Sequence, residues 1–202
     1  MISGQAERLM PMIADVLEDA GLLYKDLQAL VTTLGPGAFT GLRIGLSTVK
    51  ALAISLDIPL YGITTFQALA LAYRAKAAIQ NFTVIIETKR SDFYIQRFGS
   101  QAQPLSAPQA LSFEMTQALI QPEDVLIGDG VQRYQSLCEE RGFKLEAARI
   151  CMGYSAPDMA CVLKHFENLE YFQTGDLPSI TPLYLREVDV SFSKTKQRVL
   201  AD

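Results

Sequence analysis

Short β-branched runs alternating with helical periodicity predict an α/β fold in two lobes. Two observations carry the prediction. In residues 1–78, two short apolar runs are each followed by a longer helical pattern. After a composition shift at residues 78–82, a strand–turn–strand hairpin opens a second α/β lobe over residues 79–202. With 49% hydrophobic and 20% charged residues, the chain has apolar material for real cores and too little charge for disorder.

The elements follow in order. Leu9, Met12, Ile13, Val16, Leu17 and Ala20 recur at three- and four-residue steps, one apolar helix face, with Gly21 as C-cap. Ala29–Leu34 is short, apolar and β-branched, which suits a strand. Gly35–Gly41 breaks it, and a helix is expected from about Gly41 to Leu56, ending before Pro59. Leu60–Thr64 reads as a second strand, after which Thr65 is placed to cap a helix from Phe66 to about Ala77. In the second lobe Phe82–Thr88 and Phe93–Phe98 form the hairpin around a polar turn, Lys89–Asp92. A short helix over Ser112–Ala118, a strand at Val125–Ile127 entering a Gly-Asp-Gly turn, and helices over Val131–Glu140 and Ala156–His165 complete the pattern. Pro182–Arg186 is expected to be extended, and the tail with Lys194, Lys196 and Arg198 is expected to be a solvated end.

Charge and composition exclude whole classes of function. Eighteen basic against 22 acidic residues give a net charge of −4, the wrong sign for a protein that grips nucleic acid non-specifically. A role on RNA then runs through a partner. No apolar run is expected to reach the roughly 18–20 residues that cross a bilayer, and Met1–Arg8 lacks the basic and apolar regions of a signal peptide. Cys138, Cys151 and Cys161 fit no zinc spacing and read as reduced thiols of a cytoplasmic protein. His165 is the only histidine, so no HxxxH or HExxH metal pair exists, and a Ser/His/Asp triad would have to use this one helix residue.

The informative segment is Gly35-Pro36-Gly37-Ala38-Phe39-Thr40-Gly41-Leu42-Arg43-Ile44-Gly45. Gly35, Gly37 and Gly41 permit positive φ and close backbone approach, and Pro36 stiffens the turn. Thr40 is placed to cap the next helix, whose free N–H groups suit an anion. The phosphate templates do not match: no Gly-Lys-Ser/Thr ends the loop, and Thr40 stands where the dinucleotide fingerprint needs its third glycine. Arg43 is suited to an anion or a partner carboxylate. The helix beyond is rich in small residues, among them Gly41, Gly45, Ser47, Thr48, Ala51, Ala53 and Ser55, around Leu52. Glycine inside a helix costs about 1 kcal/mol against alanine. Close approach by another helix offsets that cost, either inside the lobe or from another protein.

This eleven-residue segment closely resembles the signature of the TsaB (YeaZ) family, Gly-Pro-Gly-Ser-Phe-Thr-Gly-Leu-Arg-Ile-Gly, with only Ala38 departing. Glu7–Ile13, Pro59–Ala70, Ile85–Arg90, Gly128–Gly130 and Pro182–Arg186 resemble further family segments in the same order, with Glu87 in place of an Asp. The resemblance implies a two-lobed actin/Hsp70-like (ASKHA) fold and a role in making N6-threonylcarbamoyladenosine (t6A) at adenosine 37 of ANN-decoding tRNAs. It implies a non-catalytic scaffold that binds the transferase TsaD as a heterodimer through helices of the N-terminal lobe and helps recruit the ATPase TsaE. tRNA is met indirectly, and self-association is expected when the partner is absent. No intrinsic cofactor or metal is implied, and nucleotide is bound only in the complex. The expected interface or loop residues are Gly35, Pro36, Gly37, Phe39, Thr40, Gly41, Arg43, Gly45, Thr48 and Leu52. Two alternatives stand beside this reading: an ASKHA-type phosphotransferase or peptidase-like enzyme, and a homodimeric interaction module using the same helix face.

Family members open with a strand, an Ile/Leu-Asp-Thr-Ser turn and further strands that have no counterpart here, so an N-terminal lobe incomplete relative to the family is expected, from either a mis-assigned start codon or a truncated sequence. The strand at Ala29–Leu34 is then expected to keep an unpaired edge, a site for aggregation or strand pairing.

Overall fold

Two separate sheets organise the chain. The structure is a computed structural model that describes residues 4–76, 80–145, 150–151, 162–164 and 171–186. Helix α1 (Gln5–Asp19) leads through a 3₁₀ turn (Tyr24–Asp26) to strand β1 (Leu30–Thr33), helix α2 (Phe39–Leu56), strand β2 (Leu60–Ile63) and helix α3 (Thr65–Lys76). Strands β3 (Phe82–Glu87), β4 (Asp92–Phe98) and β5 (Gln109–Ser112), helix α4 (Phe113–Leu119), strand β6 (Val125–Ile127) and helix α5 (Val131–Glu140) follow.

β1 and β2 pair in parallel, Leu30 opposite Leu60 through Thr33 opposite Ile63, with α2 as the crossover. The amides of Leu30 and Leu34 donate to the carbonyls of Pro59 and Ile63, so the even-numbered residues of β1 face β2. Val31 and Thr33 turn their backbone groups the other way, and no strand among the described residues pairs with that edge. The second sheet runs β5-β4-β3-β6, antiparallel at β5–β4 and β4–β3 and parallel at β3–β6.

The elements match their expected places closely, with local corrections. Thr64, not Thr65, caps α3: its hydroxyl oxygen accepts the Gln67 amide at 3.0 Å. The strand β5 was not expected, because Gln109-Ala-Leu-Ser has no β-branched residue; β4 recruits it through backbone pairing. Ser112 caps α4 as its composition suggests. The helix expected over Ala156–His165, His165 itself, Cys161 and the basic tail lie outside the described residues apart from 162–164. Pro182–Arg186 is extended without joining a sheet, and its Leu183 amide donates to the Leu34 carbonyl at 2.8 Å.

α3 is buried continuously from Phe66 to Tyr73, the mark of a helix enclosed on all sides. Its side chains share one core with Phe82, Val84, Phe98 and Ile127 of the larger sheet. On the opposite face, Ile85, Phe93, Ile95 and Leu126 pack with Val131 and Tyr134 of α5. The core under α2 is smaller, with buried Leu34, Leu46, Ala53, Leu60 and Ile180.

The expected apolar face of α1 exists but is largely uncovered. Leu17 is 8% exposed, whereas Met12 and Val16 are 55% and 66% exposed. α1 packs on α2 alone among its major neighbours, and one helix cannot cover the whole stripe.

Candidate functional site

The loop between β1 and α2 is set by packing at one glycine. Gly35 has φ +97°, and a Cβ there would lie 2.8 Å from Leu42 Cδ1 and 3.4 Å from the Leu183 carbonyl oxygen. The positive φ demands glycine, and a Cβ would also push the tip of the Leu42 side chain aside. Its carbonyl accepts the Thr65 amide at 2.7 Å, tying the loop to the start of α3. The Gly35–Pro36 peptide is cis. Gly37 and Gly41 do not use positive φ, contrary to the sequence expectation; a Cβ at either position meets only side-chain carbons at 3.8–3.9 Å. Thr40 is not the cap either. Ala38 is the N-cap, and the Leu42 amide donates to the Ala38 carbonyl at 2.9 Å, so the helix is already under way when Thr40 is reached. No side chain caps this terminus.

Arg43 lies 3.9 Å above the Phe39 ring, and its Nε donates to the Tyr184 hydroxyl at 3.2 Å. Phe39 and Tyr184 are themselves 5.6 Å apart between ring centroids. In the isolated chain Arg43 is thus held by aromatic rings, with no carboxylate partner among the described residues.

Between the lobes, a cavity of about 310 Å³ is walled on one side by Pro36, Gly37 and Ala38 and on the other by Glu87, Lys89 and Asp129. The Gly-Asp-Gly turn builds the second wall. Gly128 (φ +109°) has no room for a Cβ against the Ile85 carbonyl. The Gly130 amide donates to that carbonyl at 3.0 Å, and Asp129 Oδ1 accepts the Glu87 amide at 2.9 Å. The two carboxyls are tuned in opposite senses. Burial raises Asp129, and Glu87 beside it adds repulsion. Burial also opposes the Glu87 charge, but hydrogen bonds from Arg133 (2.6 Å) and the Lys89 amide (2.6 Å) outweigh it and hold Glu87 below its ordinary value.

The outer side of α2 carries the remaining expected residues. Gly41, Gly45, Thr48 and Leu52 recur at helical spacing on one stripe, while the buried Leu46 and Ala53 face the sheet. A Cβ at Gly45 would meet nothing within 4 Å. Packing among the described residues therefore does not explain that glycine. Thr48 and Leu52, with Ser47, Ala51, Ser55 and Met10 of α1, line an open groove of about 420 Å³. Ile54 beside it is 68% exposed. The expectation that no apolar run is long enough to cross a membrane needs amending: Phe39–Leu56 passes by length and composition alone. Its apolar surplus lies on the exposed side of a helix that already packs on β1.

A family model described as TsaD, tRNA N6-adenosine threonylcarbamoyltransferase, matches residues 4–197. The chain belongs to this family. Within it the chain is of the TsaB/YeaZ type. It is 26% identical over 192 residues to the tRNA threonylcarbamoyladenosine biosynthesis protein TsaB of Escherichia coli strain K12, covering 89% of this chain and 80% of that protein. Over 69 residues it is 48% identical to the tRNA N6-adenosine threonylcarbamoyltransferase of Novosphingobium aromaticivorans, covering 34% of this chain and 20% of that one. YeaZ from Pseudomonas aeruginosa shares the fold, with a TM-score of 0.70 at 22% identity over 89% of this chain and 84% of that one. These matches fit the ASKHA-type α/β fold.

The structure thus distributes the expected residues over two places. Pro36, Gly37 and Phe39 line the lobe junction, with Gly35 tied to Thr65 and Arg43 held on Phe39 and Tyr184 beside them, whereas Thr40 is exposed in the first turn of α2 and Gly41, Gly45, Thr48 and Leu52 lie along that helix. Sequence reasoning did not single out Tyr184 or Asp129 for these sites. Tyr184 is 141 positions from Arg43, and only folding brings the two together.

Proposed function

We propose that this chain serves threonylcarbamoyladenosine synthesis on tRNA as a non-catalytic partner. In this reading it presents the outer face of α1 and α2 to a TsaD-type transferase in the cytoplasm, and the ATPase TsaE joins the assembled pair. The names of its TsaB relatives support involvement in the pathway. One structural observation supports the docking role. Gly45 costs helix stability yet has nothing packed over it, on a helix whose neighbouring Ile54 and groove are open. A facing helix that comes close to the backbone accounts for both. The single histidine, His165, leaves no HxxxH pair in this chain, so any chemistry that needs such a pair falls to the partner. Nucleotide binds only once the complex is formed, at the cleft between the lobes.

The test is titration calorimetry of the purified chain against the TsaD-type transferase of the same organism. Gly45→Leu places a side chain in the space reserved for the partner and is expected to weaken binding at least tenfold, about 1.4 kcal/mol. Unchanged affinity would overturn the docking face. Sizing the chain alone and with the transferase separates a heterodimer from a homodimer built on the same surface.

A further inference from the structure

A second cavity, of about 440 Å³, lies away from both places described above, between α3, β4 and the loop that joins β4 to β5. Thr64, Gln67, Gln96, Gln103, Pro104, Pro108 and Tyr171 line it, and no charged side chain does so among the described residues. Its construction is specific. Gln67 and Gln96 are each only 6% exposed. Gln67 Nε2 donates to the Ala102 carbonyl at 3.0 Å, and Gln96 Nε2 donates to the Ser106 carbonyl at 3.0 Å. Those carbonyls fix which way each amide is turned, since only the NH₂ end can meet a carbonyl oxygen. Neither Oε1 atom accepts a hydrogen bond from a described residue, so each of these two lining residues keeps an acceptor without a described donor.

The wall that holds them is tied down. Ala102 and Gln103 pair with Gly99 through backbone hydrogen bonds of 2.8 and 2.9 Å. The Leu105 amide donates to the Arg97 carbonyl at 2.9 Å, and the Arg97 amide donates to Ser106 Oγ at 3.0 Å. Tyr171 is placed by the neighbouring Gln173, which exchanges two backbone hydrogen bonds with Gly62 of β2. The acceptors are therefore preorganised, which lowers the ordering cost of binding.

The chemistry of the lining selects the ligand. The side-chain oxygens of Gln67 and Gln96 ask for N–H donors, and Gln103, whose Oε1 accepts the Gln101 amide at 3.0 Å, keeps its NH₂ end as a donor for a ring nitrogen. With no carboxylate present, a full cation would lose its hydration without compensation, and an anion would meet the oxygens unfavourably. The pyrrolidine faces of Pro104 and Pro108 and the Tyr171 ring offer flat apolar walls. We propose that this cavity binds a small, neutral, amino-substituted heteroaromatic ring, whose exocyclic N–H groups donate to the side-chain oxygens of Gln67 and Gln96. The proposal does not depend on the docking role of α2.

The experiment is a nitrogen–proton correlation titration of the full chain with adenine and, separately, with purine, which has the same rings without the amino group. Adenine is expected to move the Gln67 and Gln96 side-chain NH₂ signals saturably, and purine to do so at least tenfold more weakly. Pro108→Arg, a loop substitution that leaves both amides in place, is expected to abolish the adenine shifts while the rest of the spectrum stays folded. Three results would overturn the proposal: no shift with adenine up to its solubility, equal shifts with purine, or adenine shifts that persist in Pro108→Arg.

Discussion

Phe93 of β4 and Ile54 of α2 are both large apolar residues inside regular elements, yet Phe93 is fully buried and Ile54 is 68% exposed. Around Phe93 the chain completes its own core: the ring packs edge-on against Tyr134 at 5.8 Å, and the Arg133 guanidinium lies 3.7 Å over its face. Around Ile54, Met12 and Val16 there is no such completion among the described residues, of which five are buried in the core beneath α2. The larger sheet is stabilised from within the chain. The helical face is stabilised only in part, and its surplus apolar surface is what a partner would cover.

The largest effect expected from this contrast is on stability. Phe93→Ala removes a fully buried aromatic ring and is expected to cost about 3–5 kcal/mol, whereas Ile54→Ala is expected to stay within about 0.5 kcal/mol. Urea unfolding of the two variants measures both. A loss of several kcal/mol in Ile54→Ala would mean that the face is already covered in solution, and the comparison would collapse.

A polar anchor sharpens the same contrast. Asp124 is fully buried and accepts from Arg97 through two bonds of 2.6 and 2.8 Å and from Thr83 at 2.7 Å. Burial opposes its charge, but these donors outweigh burial and hold the carboxyl below its ordinary value. Its contribution is therefore present above the ordinary carboxylate value of about 3.9 and is lost as pH falls through the lowered folded value. Asp124→Asn leaves Arg97 without its counter-charge and is expected to cost about 3 kcal/mol near neutral pH. The gap from the parent chain should close as unfolding is measured at successively lower pH. Asp129 has the reverse sign: its raised value contributes stability below the ordinary carboxylate value, and that contribution is lost as pH rises through the folded value.

On the helical face the readout is affinity. Val16→Ser removes a 66% exposed apolar side chain from α1. It is expected to leave the urea midpoint nearly unchanged and to weaken transferase binding by about tenfold, the loss typical of a moderate interface contact. Weakened folding with unchanged affinity would reverse the assignment of that face.

How far these contrasts were legible in the sequence depends on what each signal reports. Periodicity placed α1 and α2 well, because apolar spacing reports which residues share a face. It did not report that Met12 and Val16 stay exposed, because spacing carries no information about what covers a face. Capping preference chose Thr40 and Thr65, one or two positions late in each case, since the backbone turns at Ala38 and Thr64 set the helix starts. The Gly35 turn was readable because its positive φ demands glycine there. Tyr184 and Asp129 were not singled out, since each acquires its place through contacts made only in three dimensions.

The smallest expected effect isolates the logic of the helical face. Gly45→Ala adds one methyl group where nothing lies within 4 Å, on a residue that is helical and has no positive φ. Alanine restricts the unfolded chain and suits the helix, so the free protein is expected to gain about 0.5–1 kcal/mol in unfolding free energy. The same methyl group narrows the approach of a facing helix, so affinity for the transferase is expected to fall modestly. A core glycine would give the opposite pair of results, since added bulk would strain the fold and leave the partner untouched. Gain of stability together with loss of affinity in one variant, measured by urea unfolding and calorimetry, separates a glycine kept for a partner from a glycine kept for the fold.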